Sequence, residues 1–171
     1  MCIRDRYKIV EEGLCGRTTI FEDELRDNRR GIDMLPALLE SHSPIDYVIL
    51  MLGTNDCKTY YNASAGLIGK GIEKLISQIK KYDSSLDILL MSPIVLGDDV
   101  WKPEFDPEFN KNSVKTSHKL KDVYKKIADK YGCHFLAASD VSSYSTDDME
   151  HMDASGHRHL ADAILDLGLF A

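Results

Sequence analysis

Three short stretches of the chain carry residue types able to do acid–base or anion-stabilising chemistry. In Asp148-Met149-Glu150-His151 a carboxylate precedes an imidazole by three residues. One turn of loop can close that spacing, and a carboxylate on the far ring nitrogen fixes the tautomer and stabilises the imidazolium formed when the ring takes a proton. A solvated loop rich in Asp and His would contain the same residues for solubility alone. In Gly53-Thr54-Asn55-Asp56 an amide side chain follows directly on an apolar run. An N–H donor held there can stabilise the oxyanion of a tetrahedral intermediate, where losing one donor costs about 3 to 4 kcal/mol of barrier. An Asx-turn that merely folds the chain after a strand uses the same two polar residues. In Glu11-Glu12-Gly13-Leu14-Cys15-Gly16-Arg17-Thr18-Thr19 a glycine allows close backbone approach, so the Gly16 N–H is a second candidate donor. An ordinary left-handed turn glycine is the commoner meaning of such a residue.

The elements that would position these stretches follow from apolar periodicity, which alternates between strand and helix. Residues 7–12 read as a short strand leading into the glycine-containing loop. A helix is expected over 31–40, with Ile32, Leu35, Leu38 and Leu39 on one face, although Pro36 fits only near a first turn. Tyr47 to Leu52 is a continuous apolar run, as expected of a strand buried on both faces of a parallel sheet. Ser64 should cap a helix reaching about Tyr82, Ile88 to Met91 should form another strand, and residues 94–107, with Trp101 and two prolines, should form a pocket-shaping loop. A long helix from about 108 to Tyr131, closed by Gly132, a strand from His134 to Ala138, a polar loop over 139–154 and a helix from near Ser155 complete the series. Four strands alternating with helices imply one α/β domain with a parallel sheet, whose site lies at the carboxyl ends of the strands.

Taken in order and in this context, the three stretches resemble those of the SGNH (GDSL-like) hydrolases, specifically the arylesterase and acyltransferase-like branch that shares E-E-G-L-x-[GA]-R-T-T. Its glycine block matches Gly13 to Thr19 and its G-T-N-D block matches Gly53 to Asp56. Its D-x-x-H block matches Asp148 and His151, followed by the similar helix start Asp153-Ala154-Ser155-Gly156-His157. The resemblance implies a three-layer, flavodoxin-like α/β fold with strand order 2-1-3-4-5. It implies that Gly16 and Asn55 line an oxyanion hole, that His151 is general base and then acid, and that Asp148 orients it. The substrate would be a small acyl or aryl ester, hydrolysed through an acyl-enzyme with no metal and no organic cofactor. Cys15, Cys57 and Trp101 would line the substrate pocket.

One block of the resemblance has no counterpart. The family's nucleophile lies in a G-D-S motif ending the first strand, upstream of the strand expected at 7–12, and no G-D-S occurs in this sequence. The preceding hexapeptide Met1 to Arg6 contains no serine and reads as a foreign or misassembled end. The expectation is therefore an esterase domain over 7–171 that lacks its first strand, with 1–6 apart from it, inactive and destabilised as it stands. Ser92, Ser139, Ser142, Ser143 and Ser145 lack the motif's context and read as turn and capping residues. Cys15 or Cys57 near His151 would suit a cysteine-dependent hydrolase instead. A non-catalytic flavodoxin-like module that binds a small ligand is the rival outside the hydrolases.

Composition narrows the partners. With 171 residues and 43% hydrophobic content a single core is expected. A formal charge of -7, and a basic cluster (Arg26, Arg29, Arg30) interleaved with Asp23, Glu24 and Asp27, argue against nucleic acid. His42, His118, His134, His157 and His159 are dispersed, so no metal ligand set converges. Cys2, Cys15, Cys57 and Cys133 show no paired spacing, no apolar run approaches a membrane span, and no export signal is evident, so a reduced cytoplasmic setting is expected, with Asn62-Ala63-Ser64 a helix start rather than a glycosylation site. Homo-oligomerisation is left open.

Overall fold

A computed structural model describes residues 7–169. The elements run α1 (Gly31–Ser41), β1 (Tyr47–Leu50), α2 (Ala65–Tyr82), β2 (Asp87–Ser92), α3 (Lys111–Tyr131), β3 (His134–Ala137) and α4 (Ala154–Asp166). The strands form a parallel sheet in the order β1-β2-β3, with Leu50 opposite Leu90 and Leu90 opposite Phe135. This is an α/β architecture, and its order is the 3-4-5 portion of the order expected.

The central strand β2 shows why the chain layers as it does. Alternate side chains of a strand face opposite ways. Ile88 and Leu90 therefore enter a core with Ile68, Ile72 and Ile76 of α2 and Leu120 and Tyr124 of α3, while Leu89 and Met91 pack on Ile94, Ala138 and Leu160 of α4. Leu39, Ile32 and Leu35 of α1 join the first core. Helices α1, α2 and α3 thus cover one face and α4 the other. Each fully buried aliphatic side chain contributes about 1.5 to 3 kcal/mol, and this is what holds the layers together.

Helix ends match their local chemistry. Ser64 Oγ accepts from the Leu67 N–H at 3.2 Å, and Asn110 with Ser113 forms a reciprocal capping box at the start of α3. That box starts α3 at Lys111 rather than near 108. Asp153 accepts from the Gly156 N–H at 2.7 Å and opens α4, and Gly132 closes α3 at φ +66°.

Two expectations fail and one is refined. Residues 7–12 form no strand, and Ile9 and Val10 are 48% and 44% exposed. An extended segment becomes a strand only where another strand pairs with its backbone, and the described sheet has three strands, not four. The run Tyr47 to Leu52 was expected to be buried on both faces. Its strand ends at Leu50; Leu50 is buried, but Tyr47, Ile49 and Met51 are exposed, because α4 reaches β2 without extending over β1. Pro36 lies in the middle of α1 rather than in its first turn. The donor it cannot provide to the Ile32 carbonyl comes from Gln78 Nε2 of α2, at 2.8 Å.

Candidate active site

The G-T-N-D stretch leaves β1 at a position only glycine can occupy. Gly53 has φ +125°, and a Cβ there would collide with Tyr124 Oη. Tyr124 itself is fully buried and donates its hydroxyl to the Leu52 carbonyl at 2.7 Å, so α3 fixes the point where the strand ends. Burial pushes the Tyr124 hydroxyl well above the ordinary tyrosine range, aided by the nearby Asp56, so it remains a donor. Residues Asn55–Cys57 and Thr59–Tyr61 then form two short turns of 3-10 helix.

Asp56 is fully buried and joins this loop to the glycine block. Its carboxylate accepts from the Thr19 N–H at 3.0 and 3.1 Å and from the Thr19 hydroxyl. Burial pushes its pKa up to about 6 in spite of those donors. Helix α2 makes room for the contact with Gly71, where any side chain would strike Thr19. Helix α1 anchors the same segment from the other side, its Gly31 and Ile32 N–H groups donating to the Thr18 and Thr19 carbonyls at 2.9 and 3.0 Å.

Gly16 and Asn55 are brought together by this clamp. Asn55 Nδ2 donates to the carbonyl of Arg17, the residue next to Gly16, at 3.3 Å. An amide nitrogen carries two hydrogens, so one remains for another acceptor. Gly16 is buried with φ +79°, a backbone shape that L side chains rarely take, and its N–H donates to no group among the described residues. Cys57, two residues after Asn55, is buried, with its thiol donating to the Gly53 carbonyl at 3.4 Å. Burial, with the Asp56 charge beside it, raises its pKa far above the ordinary thiol range and keeps it protonated. Cys15 is exposed.

The acid–base pair is assembled within one loop. His151 Nδ1 lies 2.8 Å from Asp148 Oδ2, while Asp148 Oδ1 accepts from the backbone N–H groups of His151 and Glu150 at 2.8 and 2.9 Å. Burial works to raise the Asp148 pKa, but these backbone donors and the imidazole outweigh it and hold the carboxyl below its usual value. The carboxylate therefore stays ionised and grips the near nitrogen of the ring. The His151 side chain is 64% exposed, which leaves the ring accessible to solvent. The loop is pinned to the Trp101 loop by the Gly97 N–H, which donates to the Met149 carbonyl at 2.8 Å. Trp101 is half-buried; it donates Nε1 to the Asp98 carbonyl at 2.8 Å and has Lys111 over its ring.

Some contributors carried no motif. Lys58 is buried against Glu108 at 2.5 Å and also acts on Glu150, whose pKa is raised first by burial and then by Asp106. The Thr19 partner of Asp56 was equally silent; its one trace is the glycine set into the otherwise regular apolar pattern of α2. Of the serines weighed from the sequence, Ser92 is fully buried, and the other four lie in the loop around Tyr144. No group of three His, Cys, Asp or Glu is placed to share a metal ion among the described residues, and none of the described helices is long and apolar enough to cross a membrane.

The fold recurs in known proteins. The model of the GDSL-like lipase/acylhydrolase family matches residues 2–164. The chain is similar to a carbohydrate acetylesterase from Sinorhizobium meliloti, with 34% identity and a TM-score of 0.86 over 95% of this chain and 78% of that one. It is also similar to the inhibitor-bound aryl esterase of M. smegmatis, with 29% identity and a TM-score of 0.84 over 94% and 77% of the two chains. No curated protein matches it by sequence. A family match over nearly the whole length, joined to the parallel α/β sheet and its strand-end loops, makes the chain a member of the GDSL-like lipase/acylhydrolase family.

Proposed function

We propose that residues 7–171 form one esterase domain acting on small acyl or aryl esters by a Ser-His-Asp mechanism. His151 takes the proton of the attacking hydroxyl and returns it to the leaving alcohol, Asp148 orients the ring and stabilises the imidazolium, and the Gly16 N–H and Asn55 Nδ2 receive the oxyanion. Cys15, Cys57 and Trp101 border the substrate. The nucleophile is a serine in G-D-S context, which this sequence does not contain, so the 171 residues alone are inactive in this reading. The mechanism calls for no metal or organic cofactor. The free thiols Cys15, Cys57 and Cys133 suit a reducing, cytoplasmic setting.

The observation that carries the proposal is the 2.8 Å contact of His151 Nδ1 with an ionised Asp148, an arrangement for which a passive binding module has no use. The test is hydrolysis of a short-chain aryl acetate by the 171-residue chain and by the chain joined to the residues encoded upstream of it. Activity is expected in the longer protein, with His151→Ala lowering kcat by about a thousandfold or more. An upstream segment without a G-D-S serine, or activity that survives His151→Ala, would overturn the reading.

A further inference from the structure

Arg17 is a cation without a counter-charge among the described residues. Only 9% of its surface is accessible, and its Nε and Nη1 are buried with no hydrogen-bond partner. No ion pair to Arg17 occurs among the described residues. A guanidinium cannot shed its charge in a protein, and a buried charge left unpaired is among the more destabilising features a fold can hold. Asp56, the buried carboxylate on the adjoining loop, is committed to Thr19, and its pKa is set by burial and by Thr19 rather than by any arginine.

The surroundings add to this positive field. Arg26 Nη1 and Arg29 Nε lie within 3.0 and 3.3 Å of where a Cβ on Gly16 would stand, and Arg29 Nε is likewise buried without a partner. Glu108, the partner of Arg26, already serves both Lys58 at 2.5 Å and Arg26 at 3.4 Å. A local excess of cations thus sits next to Gly16 in a chain whose net charge is -7. Polyanions are repelled by such a chain as a whole, so the complement is small.

We infer that Arg17 is the seat of a carboxylate that docks beside the Gly16 position. A carboxylate provides the charge and the planar pair of acceptors that a guanidinium matches. Either a small acid, such as a carboxylate-bearing ester, or a side-chain carboxylate presented on polypeptide offers this chemistry. The seat exists whether or not the chain hydrolyses esters, so it stands apart from the proposed function.

The 171-residue chain is titrated calorimetrically with sodium acetate and, separately, with N-acetyl-aspartate amide, at ionic strength held constant with sodium chloride. Saturable binding of at least one is expected, with Kd raised at least tenfold by Arg17→Met and unchanged by Arg30→Met, which breaks the ion pairs to Glu22 and Asp33. Arg17→Met should also raise the Tm of the ligand-free chain, because it removes an unpaired buried charge, whereas a purely structural arginine would lower it. Binding is read in the 171-residue chain and ester hydrolysis in the chain extended upstream, and His151→Ala should leave the first intact while abolishing the second, so the two readings fail separately. Tenfold tighter binding of the aspartate amide than of acetate assigns the seat to a polypeptide carboxylate; equal or weaker binding assigns it to a small acid. Should Arg17→Met not fold, the saturable isotherm of the unmodified chain against the chloride baseline carries the test. No saturable binding of either probe overturns the inference, as does binding that Arg17→Met leaves unchanged.

Discussion

The oxyanion half and the acid–base half of the candidate site are held by opposite means. Thr19 and Asp56 are separated by 37 residues, fully buried, and fixed by α1, α2 and α3 together. Asp148 and His151 are three residues apart, lie at the surface, and are fixed by hydrogen bonds inside a single loop. The first half inherits its geometry from the whole core and carries the cost of a dehydrated carboxylate. The second adds little to stability and keeps the imidazole in contact with solvent, where protons must enter and leave. Donors for a developing charge have to stand still, whereas a proton carrier has to be reached.

Stability measurements can break this contrast. Gly53→Ala should have the largest effect, because it places a Cβ against Tyr124 at φ +125° and strains the backbone at once. A loss on the order of 3 kcal/mol or more in urea unfolding is expected. If the loss is small, the core does not set the oxyanion loop.

Next comes pH. The folded pKa of Asp56 is raised to about 6 from 3.8, so the folded state holds a proton that the unfolded chain releases between those values. Its contribution to stability is full below about pH 4 and is lost as pH rises through 6, a change on the order of 3 kcal/mol for a shift of this size. Asp56→Asn should flatten that slope, and an unchanged slope would refute the assignment. Asp148 has the opposite sign: its carboxyl is held low, so it stabilises at neutral pH and that contribution disappears on acidification.

Gln78→Leu should cost about 1 kcal/mol by leaving the Ile32 carbonyl without its donor. The smallest effect belongs to His151→Ala, within about 0.5 kcal/mol on stability, as expected for an exposed side chain away from the core. A larger loss would show that the His151 side chain, and not only the backbone of its loop, is coupled to the rest of the fold.

The same contrast decided what could be read before any coordinates. Asp148 and His151 were legible because their pairing is local, and the helices were legible because α2 and α3 keep one apolar face. Residues 7–12 misled because alternation and apolar content describe a strand's side chains but not whether a neighbour exists for its backbone. Tyr47 to Leu52 misled for a related reason: a continuous apolar run does not say how many helices reach over it. The Asp56 clamp was hidden because its partner is distant in sequence, and Gly71, which makes space for it, looks like any helix glycine that costs about 1 kcal/mol relative to alanine. Arg17 read as part of a motif, and only its buried Nε and Nη1, without a hydrogen-bond partner among the described residues, give it a separate meaning.

The amide that Gln78 lends to α1 also orders events in time. A helix interrupted by proline cannot complete its own ladder, so the middle of α1 becomes fully bonded only once α2 has docked against it. Because α1 in turn holds the Thr18 and Thr19 carbonyls, the segment around them should be the first to loosen when α2 lifts away. Amide hydrogens of α1 should therefore exchange with solvent sooner than those of α2, and those of the segment around Thr18 and Thr19 sooner still.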